Sequence, residues 1–187
     1  MNKKRTDPPS IFYLLYLSHG SENQIRNFLA NDCAVPQENI QRGMHLTLYH
    51  GKRRMPGLKI STSYVTIEVN TEETRFMVLA PGGENPRADQ VPSSRSVGIR
   101  LTKRNTAIDE ILKLRRSVYK FEPVFDKAFR KNTTDWKNAF GARNFQPHIK
   151  LFNPGTKIDD DLTKLGDLFR KNIREIEFSK AVLKVYD

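Results

Sequence analysis

Met44-His45-Leu46-Thr47-Leu48-Tyr49 and its echo Pro147-His148-Ile149-Lys150-Leu151-Phe152 decide how this chain is read. Each stretch sets a histidine in a short apolar run with a polar residue two positions later. On a β-strand, residues i and i+2 share a face. The pattern therefore predicts His45 and Thr47 on one face, with Leu46 and Leu48 on the other. His148 and Lys150 follow the same rule, backed by Ile149 and Leu151. Two such strands side by side present two imidazoles to one bound group. Free histidine titrates near ~6.5, so a pair of histidines can hold one neutral and one protonated member near neutral pH. That combination suits general acid/base chemistry on a phosphodiester.

Working outward, each motif comes after a strand and a helix. Ile11 to Leu17 is β-branched and aromatic enough for a buried strand. Ser21 offers an N-cap to a helix carrying Ile25, Phe28 and Leu29, and a loop with Pro36 leads to the His45 strand. In the second half, Val97–Leu101 reads as a strand. Asn105 or Thr106 caps a helix through Ile108, Ile111, Leu112 and Leu114 to Tyr119. Residues 120–145, with Phe121, Phe129, Trp136 and Phe140 among lysines and arginines, read as an insertion of one or two short helices before the His148 strand. Between the halves, Tyr64–Val69 and Arg75–Leu79 read as a hairpin turning at Thr71 to Thr74. Residues 81–95 form a long loop of the kind that is often functional. A helix from Asp159 to Lys171 and a strand from Ile176 to Tyr186 close the chain. The repeated order predicts two pseudo-symmetric lobes, roughly 10–95 and 96–187, with a cleft between them and one histidine from each. Together they make a single domain over 1–187, and residues 1–9 are a flexible basic tail.

Composition points to a polyanionic partner. Lys and Arg outnumber Asp and Glu by 32 to 21, a net charge of +11 on 187 residues. The plainer reading is solubility alone. One cysteine, Cys33, excludes an intrachain disulfide or a cysteine-built zinc site and reads as a packed thiol. No run reaches the ~18–20 apolar residues of a membrane span, and Pro8 and Pro9 separate the basic start from Ile11–Leu17, so that stretch reads as a strand and not a signal peptide. A cytosolic protein is expected. His45 with His50 lacks acidic or cysteine partners at metal spacing, and Pro81-Gly82-Gly83 lacks the pattern of a phosphate-binding loop. No cofactor is expected. His50, five residues after His45, falls on the opposite face by strand parity, and His19 lies in a surface turn.

His45-Leu46-Thr47-Leu48 and Phe145-Gln146-Pro147-His148-Ile149-Lys150-Leu151 resemble the paired HxT/S motifs of the 2H phosphoesterase superfamily, and the resemblance runs from about the first strand to Tyr186. It implies an α+β fold of two lobes, each a small antiparallel sheet with outer helices, around a central cleft. It also implies a metal-independent phosphodiesterase. Lys150 departs from the pattern, because an ammonium donates and adds charge where a hydroxyl both donates and accepts. His45 and His148 would act as acid and base, with Thr47 and Lys150 orienting the phosphate.

Substrate contacts are expected from Tyr13 and Tyr16 on the first strand, Arg53 and Arg54 after the first motif, and Trp136, Arg143 and Phe145 before the second. Aromatic faces stack on bases and basic side chains track phosphates. Taken singly, each of these more often packs a core or a solvated face. The expected substrate is an RNA-like oligonucleotide. A small cyclic or 2′-5′ linked signalling nucleotide is favoured, in the manner of viral and phage immune-evasion enzymes. The alternatives are an RNA 2′,3′-cyclic phosphodiesterase of RNA processing, and a nucleotide- or RNA-binding module that no longer cuts. No membrane and no obligate protein partner are expected.

Overall fold

Leu15, Leu46, Ile99 and Ile149 have no exposed surface, and they lie in one continuous row across the molecule. From edge to edge the row reads Phe76, Ile99, Ile149, Leu46, Leu15, Ala181, Ser63, each paired with the next across neighbouring strands. The computed structural model describes residues 10–52, 57–79, 96–119, 145–153 and 162–186. Within them, the strands are β1 (Ser10–Leu17), β2 (His45–Lys52), β3 (Ser61–Asn70), β4 (Thr74–Leu79), β5 (Ser96–Leu101), β6 (His148–Phe152) and β7 (Glu175–Tyr186). They form one antiparallel sheet in the order β3-β7-β1-β2-β6-β5-β4. The helices are α1 (His19–Asn27), α2 (Ile108–Tyr119) and α3 (Leu162–Asn172).

The expectation of two lobes, each with its own small sheet, is therefore overturned. The reason is the pairing Leu46↔Ile149, which joins β2 to β6. Both strands carry apolar residues at alternate positions, and burying Leu46 and Ile149 against one helical layer fuses the halves into a single sheet.

The expected hairpin of β3 with β4 is also absent. β3 pairs with β7, β4 pairs with β5, and the two are opposite edges of the sheet. Yet only the turn Thr71–Glu73 separates them. The four backbone steps from Asn70 to Thr74 reach at most ~14 Å, against ~29 Å for six strand intervals in a flat sheet. The sheet must curl until its edges approach at that end. The junction is fastened from within. The buried Thr71 hydroxyl donates to the Ile173 carbonyl, Thr74 Oγ1 donates to the Thr71 carbonyl at 2.6 Å, and Asn105 Nδ2 donates to the Asn70 carbonyl at 2.9 Å.

The helices cover one face. Phe169 of α3 meets Phe28 edge-on at 5.5 Å and Phe76 of β4 at 5.2 Å. Ser18, not Ser21, caps α1, its hydroxyl accepting from the Ser21 N–H at 3.3 Å. Ser21 is buried and its hydroxyl accepts the Glu177 N–H at 2.8 Å, docking α1 on β7. No helix among the described residues is long and apolar enough to cross a membrane. Most of the expected insertion, residues 120–144, lies outside the described residues.

Candidate functional site

His45 and His148 stand on neighbouring strands. Carrying the Leu46↔Ile149 register one residue each way sets His45 opposite Lys150 and Thr47 opposite His148. Side chains opposite one another share a face, so all four lie on the face away from the helices. The two histidines are diagonal neighbours, roughly 7–8 Å apart at the backbone. All four side chains are half-buried.

Each ring is held the same way. His45 Nδ1 donates to the Gly43 carbonyl at 2.8 Å, and His148 Nδ1 donates to the Gln146 carbonyl at 2.8 Å. A carbonyl only accepts, so the hydrogen is on Nδ1 and Nε2 is the nitrogen left to exchange a proton. The strand entries match too. Leu17 N–H donates to the Met44 carbonyl at 3.1 Å, and Leu101 N–H donates to the Pro147 carbonyl at 2.9 Å.

The entry to β2 depends on α1. Gly43 has φ +61°, a conformation that L side chains rarely adopt. Glu22 of α1 accepts the Gly43 N–H at 2.8 Å and the Met44 N–H at 3.2 Å. This carboxylate thus fixes the peptide whose carbonyl orients His45. Glu22→Ala is expected to cost about 1–3 kcal/mol of stability, since charge-assisted hydrogen bonds are lost. Any turnover should fall more in kcat than in KM. Thermal melts with steady-state kinetics check both, and a Tm equal to the parent's would remove Glu22 from this role.

A bulge interrupts the ladder just beyond each motif. The β1–β2 register passes from Leu14↔Thr47 to Tyr13↔Tyr49, so Leu48 is an extra residue. The β5–β6 register passes from Gly98↔Lys150 to Val97↔Phe152, so Leu151 is its counterpart. Each bulge resets the alternation. His50 consequently shares the face of His45, against the parity expectation, and stacks on Phe12 at 4.1 Å with 14° between the rings. At Gly98 a Cβ would lie 2.3 Å from the Ile149 carbonyl oxygen, so the close strand approach at the second bulge requires glycine.

One buried arginine reaches both half-sites. Arg115 of α2 is 4% exposed. Its guanidinium donates to the carbonyl of the bulged Leu48 and lies 4.3 Å over the ring of Phe145.

The expected substrate contacts divide. Tyr16 pairs with His45 across β1–β2, their ring centroids 5.3 Å apart. Lys184 donates to its hydroxyl at 3.1 Å, and that hydrogen bond raises the lysine pKa against the opposing effect of burial. Tyr13 lies on the helical face, 7% exposed, where burial raises its phenol pKa and a hydrogen bond with Ser117 of α2 pulls it back. The expected place of Tyr13 at the cleft is thus corrected: β1 alternation sends it into the core. Phe145 packs under Arg115 and against the core. Arg53, Arg54, Trp136 and Arg143 lie outside the described residues.

Sequence reasoning passed over Arg100, paired with His148, and Lys180, paired with Tyr16. Aligning β1 on β5 by their histidine partners would have matched Arg100 to Tyr16. No group of three or more His, Cys, Asp or Glu placed to hold a metal occurs among the described residues. No protein-family model matches the chain, and no curated protein matches its sequence.

Proposed function

We propose that the chain is a phosphodiesterase of the 2H kind that cleaves RNA-like oligonucleotides with His45 and His148 as its acid/base pair. The observation that carries this reading is the matched pair of imidazoles. They come from adjacent strands, both rings are anchored through Nδ1, and both side chains lie on one polar face. One Nε2 takes the proton of an attacking 2′-hydroxyl or water, and the other gives a proton to the leaving oxygen. Thr47 and Lys150 hold the phosphate, and the ammonium offsets charge that grows on it. Within this class the favoured substrate is a small cyclic or 2′-5′ linked oligonucleotide. A binding module that no longer cuts is the second reading, favoured by Lys150 where the motif calls for a hydroxyl.

The test is incubation with a panel of cyclic, 2′-5′ linked and 3′-5′ linked oligonucleotides in EDTA, with chromatography of the products. Cleavage that persists in EDTA is the expected result. Substrate recovered intact but bound to the protein overturns the enzyme reading in favour of the binder. Hydrolysis confined to 2′,3′-cyclic ends moves the assignment to RNA processing.

A further inference from the structure

Cations extend from the two histidines across most of the sheet's open face. One row of paired positions runs Met77, Gly98, Lys150, His45, Tyr16, Lys180, Tyr64. The next runs Arg75, Arg100, His148, Thr47, Leu14, Val182, Thr62. Lys184 pairs with Phe12 beyond them. Five of these side chains carry a fixed positive charge, and none carries a carboxylate. β4 has no acidic residue, and the carboxylates of this face lie at its far end, where Glu68 of β3, in phase with Tyr64, pairs with Glu177 of β7. Arg75, Lys180 and Tyr64 are exposed, Tyr64 by 86%, and Arg100 and Lys184 are half-buried.

The charges fall on both sides of the histidines. Arg100 and Arg75 continue outward from His148 on β5 and β4. On the other side, Tyr16, Lys180 and Tyr64 continue from His45 on β1, β7 and β3, with Lys180 over the Tyr16 ring at 5.4 Å and Lys184 at 5.5 Å. From β4 to β7 is five strand intervals, about 24 Å followed along the curved sheet. One nucleotide does not span that distance. A guanidinium fork fits a phosphate bidentately, and an aromatic–cation–aromatic row suits a stacked base beside its phosphate.

We infer that this face is a track for an oligonucleotide that carries phosphates on both sides of the one between the histidines. Arg100 and Arg75 grip the strand on the His148 side, and Lys180 and Lys184 grip it on the His45 side. Tyr16 and Tyr64 stack bases. The inference rests on the phosphodiesterase reading for the central phosphate, and on charge and aromatic placement alone for the flanks.

The test measures binding by the full-length His148→Ala chain, using labelled oligoadenylates from dinucleotide to hexanucleotide, linear and ring-closed, and inorganic polyphosphate of matched charge. Affinity is expected to rise with each added nucleotide. Arg100→Gln and Lys180→Gln should each flatten the salt dependence by about 0.7 in the slope of log K against log salt. Tyr64→Ala should weaken oligoadenylates roughly five- to hundredfold and leave polyphosphate unchanged. A preference for linear or for ring-closed ligands, with those outcomes in place, supports the track and names its form. A dinucleotide that binds as tightly as a hexanucleotide overturns it. So does an unchanged salt slope in both glutamine variants, or polyphosphate binding equal to the hexanucleotide. If the parent cuts no oligonucleotide while length and salt behave as expected, the phosphodiesterase reading falls and the track stands. Cleavage with flat length dependence does the reverse.

Discussion

Alanine at His45 or at His148 is expected to lower turnover of an oligonucleotide by about 10²–10⁴-fold, because on the proposed mechanism each substitution removes one partner in proton transfer. Binding is expected to persist in both variants, since Thr47, Lys150 and the flanking cations remain. The double variant loses little more than the worse single one, as expected of groups that act as a unit. Both side chains are half-buried on the polar face, so the fold survives the change. Single-turnover rates and binding of the three variants, with circular dichroism to verify folding, check the whole set. Full activity in both variants removes the histidines from the chemistry.

Replacing Arg115 by methionine produces the largest expected loss of stability. The guanidinium is buried, donates to the Leu48 carbonyl and covers the Phe145 ring. A hydrogen bond to a charged donor contributes about 1.5–3 kcal/mol, and a cation over a desolvated ring adds about 0.5–2 kcal/mol. The combined cost is about 2–5 kcal/mol, or roughly 4–20 °C in Tm for a domain of this size. Any activity should fall further than stability explains, because β2 and the segment that leads into β6 lose the same brace. Arg115→Lys should not restore it, as a point charge cannot bond the carbonyl and lie flat on the ring together. A melting curve within about 2 °C of the parent's would show that Arg115 braces nothing.

Much of the local structure is legible in the sequence. The strands around His45 and His148, the helix ending at Tyr119 and the closing strand all declare themselves through alternation or helical spacing, because burial on one face constrains each residue type. What fails to show is long-range. Nothing local in Leu46 or Ile149 states that their strands pair with each other, so one sheet reads as two. Thr71 to Thr74 looks like a hairpin turn because turn chemistry is local, whereas the edge that receives each strand depends on β7 and β5. His50 reads on the wrong face because a bulge at Leu48 leaves no mark in composition. Arg115 reads as one more charge on a helix. Only the folded chain shows it buried against Phe145.

The Leu46–Ile149 pair also sits where the two motifs map onto each other, position 46 matching 149. A local two-fold through that pair carries each histidine into its twin. As a result, the polar residue of each motif faces the histidine of the other: Lys150 faces His45, and Thr47 faces His148. Divergence between the motifs is therefore never private to one copy. Putting lysine at position 150 changes the surroundings of His45, and any later change at position 47 is felt at His148. A mutational history of this site would have to be read in crossed pairs, with covariation expected between 45 and 150 and between 47 and 148, and not within each motif.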